Sequence, residues 1–224
     1  MKTRTVDLIT NTRHLICCIL HLLRLYWHRV IITLLTLCLL TGAYWYSERH
    51  ISSREAELRK QLVYHAEQFF GYREDDDTHR QIIDLYNAHE PRARGYEVTY
   101  TDSWCAVFGS TAALEASLTQ IIPLECSCEQ QIILFQERNR WVESDWYLPR
   151  IGDYIYYDWN SSGRGDCTGW SDHVGIVVQT FGPVIKVIEG NKDDDVSYRY
   201  VFVNDRYIRG FGTPDYISIL SLSS

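Results

Sequence analysis

The stretch HVGIVVQTFGPVIKVIEGN, residues 173–191, reads as two β-branched runs separated by a turn at Phe181-Gly182-Pro183-Val184. Runs of this kind bounded by Gly and Pro predict a β-hairpin. Centred near Gly182, such a hairpin pairs positions whose numbers sum to about 364. His173 then lies opposite Asn191, and Glu189 stands one diagonal step away on the same face. Local pairing alone thus sets an imidazole beside a carboxylate and an amide at the open end of the hairpin. A thiol nucleophile needs this set, with the imidazole taking its proton and a polar group fixing the ring's tautomer and orientation. Each residue also has a plainer reading, the histidine as a solvated strand start and Glu-x-Asn as a turn former.

Further short strands surround the hairpin. GDYIYYDW precedes it, and VSYRYVFV and YIRGFG follow, separated by Gly, Asn and Asp clusters. Helical patterns lie upstream. Ser52 and Glu55 have capping-box spacing and open a segment with Leu58, Leu62, Ala66 and Phe69 on one face, ending at Gly71. Thr78 with Gln81, and Ser127 with Gln130, have the same spacing before HRQIIDLYNAHE and EQQIILFQER. Helices first and an antiparallel sheet second predict an α+β domain.

Between these helices lies TDSWCAVFGSTAALEASL, residues 101–118. Asp102 or Ser103 suits an N-cap, and Val107, Phe108, Thr111, Leu114 and Leu118 fall near one helical stripe. Cys105 is then in the first turn, where the helix dipole and free N–H groups favour a thiolate. Buried cysteine is common in cores, so this position gains its meaning only together with His173 and Glu189.

The 224-residue chain carries a net charge of −7, unevenly spread. Its first 50 residues hold six basic against two acidic side chains, which leaves −11 on the remainder. So acidic a remainder argues against a nucleic-acid partner, because phosphate recognition needs a concentrated positive surface. From Val30 to Tyr46 there is no charge, and Tyr44, Trp45 and Tyr46 close the run. This pattern predicts a single transmembrane signal anchor over 30–46, with residues 1–29 cytoplasmic and the rest extracytoplasmic by the positive-inside rule. A cleaved signal peptide ending at Thr41-Gly42-Ala43 and a buried core helix are the rival readings. The shorter apolar run His14–Leu23 suits an interfacial segment. Residues 47–76 read as a helical stalk with an acidic connector, and 77–224 as the catalytic domain.

Seven cysteines make no disulfide framework. Cys17, Cys18 and Cys38 belong to the N-terminal region. Cys126 and Cys128 have a structural role as their default reading, since Cys-x-Cys lacks partners at zinc-finger spacing. A disulfide to Cys167 also fits. The aspartates at 75–77 lack the alternation and Gly turn of a calcium loop, so a charged loop is expected there.

The ordered set WCAVF, PRIGDYIYYDW, DHVGIVV and VIEGN, spanning 104–191, resembles the CHAP domain. This is the cysteine- and histidine-dependent amidohydrolase/peptidase group among the papain-like, NlpC/P60-related enzymes. The resemblance covers roughly residues 77–217 and implies a papain-like α+β fold. It implies Cys105 as nucleophile, His173 as general base, Glu189 as the acidic third member and Asn191 as a supporting polar residue. Gly152-Asp153 matches the family's structural turn, after Pro149. The implied activity is cleavage of a peptidoglycan amide bond, as an N-acetylmuramoyl-L-alanine amidase or a cross-bridge endopeptidase. No cofactor or metal is expected, because the family's Asp-rich calcium loop has no counterpart here. The segment NSSGRGDCTGWSD before His173, with Trp170, suits a wall of the substrate groove. Rival readings are an inactive CHAP-like module that binds peptidoglycan or recruits a partner, and an enzyme acting on a small amide or thioester.

Overall fold

A computed structural model describes residues 24, 26–40, 53–159 and 169–222. The chain divides into two units, Met1–Ser52 and Ser53–Ser224. In the first unit, residues 26–40 form helix α1. No helix among the described residues is long and apolar enough to cross a membrane. This corrects the expected transmembrane anchor. The fifteen residues described as helix span about 22 Å, short of a hydrocarbon core of about 30 Å, and their uncharged part begins only at Val30. Residues 41–46, with the aromatic triplet, and the run His14–Leu23 lie outside the described residues, as do Cys17, Cys18, Cys167 and Ser52.

The second unit is α+β. Five α-helices lie among its described residues: α2 at residues 53–67, α3 at His79–Asn87, α4 at Cys105–Glu115, α5 at Cys128–Glu137 and α6 at Tyr216–Leu222. Six strands, β1 (Trp141–Val142), β2 (Tyr154–Tyr157), β3 (His173–Phe181), β4 (Val184–Lys192), β5 (Asp195–Phe202) and β6 (Ile208–Gly212), form one antiparallel sheet in the order β1-β6-β2-β3-β4-β5. Strand alternation sorts the sheet's side chains. Tyr154, Tyr156, Val174, Ile176, Val178 and Ile188 pack with the helices in the larger core. Ile155, Tyr157, Val177, Val187 and Phe211 form a second, smaller core on the other face.

Helix α4 is the central element. Every residue from Cys105 to Ala113 is buried, so it has no solvent face and does not show the single stripe expected of it. Its hydroxyls are paired accordingly, Ser110 Oγ donating to Glu125 O at 2.7 Å and Thr111 Oγ1 to Ile82 O at 3.0 Å. Gly190 on β4 makes the close approach to the sheet feasible, since a Cβ there would lie 2.4 Å from Phe108 Cβ. That contact fixes the head of α4 against the end of β4.

Residues 53–67, expected to be part of a stalk, are instead integral to this unit. Leu62 and Ala66 are fully buried in the larger core. Arg59, nearly buried, donates from Nη1 to Asp153 Oδ1 at 2.9 Å and to Ile151 O at 2.8 Å, while its Nε pairs with Glu55 at 2.8 Å. Asp153 Oδ2 accepts from Tyr147 OH and Arg150 N. The Gly152-Asp153 turn therefore anchors α2 to the sheet. Thr78 does not close the capping box expected with Gln81. Its hydroxyl donates to Asp76 Oδ1 at 2.6 Å and accepts from Arg73 N at 2.8 Å. Ser127 does cap α5, accepting from Gln130 N.

Asp153→Ala would leave Arg59 Nη1 buried without its carboxylate, with Glu55 still held at Nε. Loss of one partner of a buried ion pair costs about 3–5 kcal/mol. Urea unfolding followed by circular dichroism should show a loss of that order, and a change under about 1 kcal/mol would refute the anchoring role.

Candidate active site

Cys105 is the first residue of α4, and Trp104 is the N-cap, without a side-chain cap hydrogen bond. The expected caps are used elsewhere or not engaged. Asp102 turns back to the preceding loop, accepting from Thr99 N at 2.8 Å and from Tyr96 OH at 2.9 Å. The helix head is thus left without a competing side-chain acceptor, and the backbone N–H of Ala106 there favours the Cys105 thiolate. Trp104 is wholly buried, donating from Nε1 to Glu74 at 2.9 Å, which holds this turn in place.

His173 opens β3. The β3–β4 pairing starts at Phe181↔Val184, and a bulge between Val177 and Gln179 shifts the register so that Val177 faces Val187 and Ile176 faces Ile188. This continues the expected register into the site, and it sets Gly175 against Glu189. A Cβ on Gly175 would lie 2.6 Å from Glu189 Cγ and 2.4 Å from Val187 Cγ1. The missing side chain lets Glu189 cross over Gly175 and reach His173, two residues back on the same face. His173 Nε2 and Glu189 Oε2 are 3.0 Å apart, with Glu189 fully buried. Nδ1 is then the ring nitrogen that Glu189 does not engage, and the Cys105 sulfur and the imidazole are near enough to shift each other's titration.

A second group holds the carboxylate. Arg199 on β5 donates from Nε to Glu189 Oε1 at 2.9 Å and Oε2 at 2.8 Å. Its guanidinium lies 4.8 Å from the centre of the Trp159 ring, which stacks on Tyr157 at 4.7 Å, and Trp159 is 6.1 Å from His173. A buried carboxylate is costly unless paired, and here a guanidinium and an imidazole pair it from two sides. Asn191 is placed differently. It has a positive φ of 57°, where β4 leaves regular pairing with β5, and its side chain makes no hydrogen bond among the described residues. Among the described residues, Glu189 is the side chain hydrogen-bonded to the His173 ring.

Cys128, the first residue of α5, adds a group that the sequence reading left structural. Its sulfur is 3.5 Å from that of Cys105. The hydrogen bond with Cys128, together with the His173 ring and its charge, outweighs burial and holds Cys105 well below the ordinary thiol range. Cys128 is pushed in the opposite direction, by that hydrogen bond, by burial and by the Cys105 charge. Burial pulls His173 down, but its hydrogen bonds to Cys105 and Glu189 and their charges outweigh this and raise it to about 9. These opposed shifts favour a thiolate on Cys105 paired with an imidazolium on His173. Cys126 lies apart, its sulfur accepting from Arg94 at 3.3 Å, and burial raises it.

The approach to His173 is tied to the helices. Ser171 N donates to Glu129 at 3.2 Å, and Ser171 Oγ donates to Tyr157 O and His173 O. Trp170 is strongly exposed beside this segment, and residues 160–168 of the expected groove wall lie outside the described residues. Among the described residues no group of three or more His, Cys, Asp or Glu side chains is disposed to hold a metal ion. The 75–77 aspartates serve their own loop, Asp76 accepting from Thr78 and Asp77 pairing with Arg80.

Comparison of the chain with family models, with curated proteins and with solved structures finds no match. The case for a site thus stands on geometry and charge. Sequence reasoning missed Cys128, Arg199 and the role of Gly175. The available signals were a second cysteine at a capped helix head and a Gly two residues after the histidine.

Iodoacetamide should label Cys105 selectively at neutral pH, with a rate midpoint well below the ordinary thiol value of about 8.5. Glu189→Gln removes negative charge from beside His173, lowers the pKa of the ring and so raises that of the thiol. The midpoint should then move upward, and an unmoved midpoint would break the link between the two residues. Gly175→Ala should produce the same upward shift at a stability cost of about 1–3 kcal/mol, because the new methyl displaces Glu189.

Proposed function

We propose that the chain is a cysteine-dependent amide hydrolase of the CHAP type, with Cys105 as nucleophile, His173 as acid and base, and Glu189 as the residue orienting the ring. One observation carries the reading: a thiol at an uncapped helix head, electrostatically paired with an imidazole whose Nε2 meets a buried carboxylate. The proposed substrate is an amide bond of bacterial peptidoglycan, cleaved by amidase or cross-bridge endopeptidase action. Its support is the ordered motif set WCAVF, PRIGDYIYYDW, DHVGIVV and VIEGN. Such a substrate places the catalytic unit on the extracytoplasmic side.

The Cys105 thiolate attacks the amide carbonyl carbon, and the developing oxyanion accepts from the backbone N–H of Cys105 at the helix head. Loss of one donor of this kind costs about 10²–10³ in rate. The His173 imidazolium gives its proton to the leaving amine as the C–N bond breaks, which yields a thioester. Now neutral, His173 removes a proton from water, hydroxide displaces the sulfur, and the acid product leaves with the thiolate–imidazolium pair restored. Glu189, itself held by Arg199, keeps Nε2 protonated so that Nδ1 faces the sulfur throughout.

Mass spectrometry of muropeptides after digestion tests the reading directly. New N-terminal alanine marks amidase action, and new termini within the stem or bridge mark endopeptidase action. Cys105→Ala should lower the rate by at least about 10³-fold while leaving thermal unfolding near that of the parent. Clearing by Cys105→Ala, or intact muropeptides with the parent protein, would reject it.

A further inference from the structure

Catalysis by Cys105, His173 and Glu189 needs one sulfur, yet two meet at the site. Cys105 and Cys128 head two different helices, both are buried free thiols, and their sulfurs are 3.5 Å apart. Disulfide bonding brings sulfurs to about 2.05 Å, so a closure of about 1.5 Å joins this pair. Ser127 caps α5 at Gln130, and Ser171 N reaches Glu129 beside Cys128. The pair is also asymmetric, because the His173 imidazole beside Cys105 favours negative charge on that sulfur. Such asymmetry distinguishes an attacking thiolate from a resolving thiol.

We propose that Cys105 and Cys128 are a reversible redox pair, closing to an intramolecular disulfide when the protein meets a hydroperoxide and reopening with a dithiol reductant. The Cys105 thiolate attacks one peroxide oxygen, the O–O bond breaks, and hydroxide leaves. Cys105 is oxidised by two electrons to the sulfenic acid, and the peroxide is reduced. The Cys128 sulfur then attacks the Cys105 sulfur. The S–S bond forms, the S–O bond breaks, and the departing hydroxide takes the Cys128 proton as water. In sum, two thiols and one hydrogen peroxide give one disulfide and two waters. Closure removes the thiolate from the site and at the same time protects it from irreversible oxidation to the sulfinic acid. Formation of the bond rests on the geometry of the two sulfurs, whereas silencing of hydrolysis rests on the proposed function.

The test treats the folded full chain with a few equivalents of hydrogen peroxide, blocks remaining thiols with N-ethylmaleimide and cleaves with a glutamate-specific protease. Cutting after Glu97, Glu115, Glu125 and Glu129 separates Cys105, on fragment 98–115, from Cys126 and Cys128, on fragment 126–129. The expected product is a cross-link between these fragments that disappears with dithiothreitol, persists in Cys126→Ser and is missing in Cys128→Ser. In Cys128→Ser, excess peroxide should drive Cys105 to a form that dithiothreitol does not restore. Recovery of Cys128 as its maleimide adduct while Cys105 has gained oxygen would overturn the proposal. Should Cys128→Ser fail to fold, the parent and Cys126→Ser proteins alone decide between these outcomes. No substrate enters the assay. A cross-link in a protein that leaves muropeptides intact would therefore sustain the redox pair and remove the hydrolase reading, and the reverse pattern would do the opposite.

Discussion

The Glu189 carboxylate, completely enclosed at the end of β4, is the group on which the site depends. Removing a carboxylate from water is expensive, and the fold meets that cost with Arg199 on one side and His173 on the other. Each partner has its own requirement. Arg199 needs β5 beside β4, with its guanidinium stacked over Trp159. His173 needs Gly175, because any side chain at that position would occupy the path of the glutamate across the strand. The chemistry of the imidazole is therefore decided by a residue with no side chain and by one ten positions beyond the carboxylate.

A second convergence supplies the sulfur. Helix α4 runs through the middle of the core and is buried on all sides, so the position of its first residue is fixed by packing rather than by a cap. Gly190 lets Phe108 sit tightly against β4, one residue from Glu189, so the two halves of the site share a boundary at Glu189-Gly190. The head of α5 approaches the same point and contributes Cys128. Three group types with opposed preferences, a buried carboxylate, an imidazole and two thiols, stabilise each other's charge states. The negative sulfur favours the positive ring, which favours the negative carboxylate.

Much of this was legible locally. The β3–β4 hairpin is specified by its β-branched runs and by Gly182-Pro183, and the register reaches Ile176↔Ile188 as expected. It does so for a reason the sequence hides. The turn begins with Phe181↔Val184, a pairing displaced by one, and the bulge near Val178 restores the offset. Cys105 at a helix head was readable from its neighbours, but its cap was not, because Asp102 finds nearer partners in Thr99 and Tyr96. Arg199 and Cys128 were out of reach, since each meets the site through tertiary packing across separate elements. Hydropathy gave an uncharged run of membrane-like composition, but no helix among the described residues is long and apolar enough to cross a membrane. Likewise, the amphipathic pattern of residues 53–67 announced a helix without saying that Arg59 would reach Asp153, which turns an expected stalk into part of the core.

The central claim is that Cys105, His173 and Glu189 share charge as one unit, and the protonation of His173 reports it most directly. Selective isotope labelling of histidine and an NMR titration of the His173 ring should give a pKa near 9 in the parent protein. The value should fall in Cys105→Ala, where the negative sulfur is gone. A ring that titrates near the unperturbed value of about 6.5, unchanged by loss of the thiol, would contradict the account.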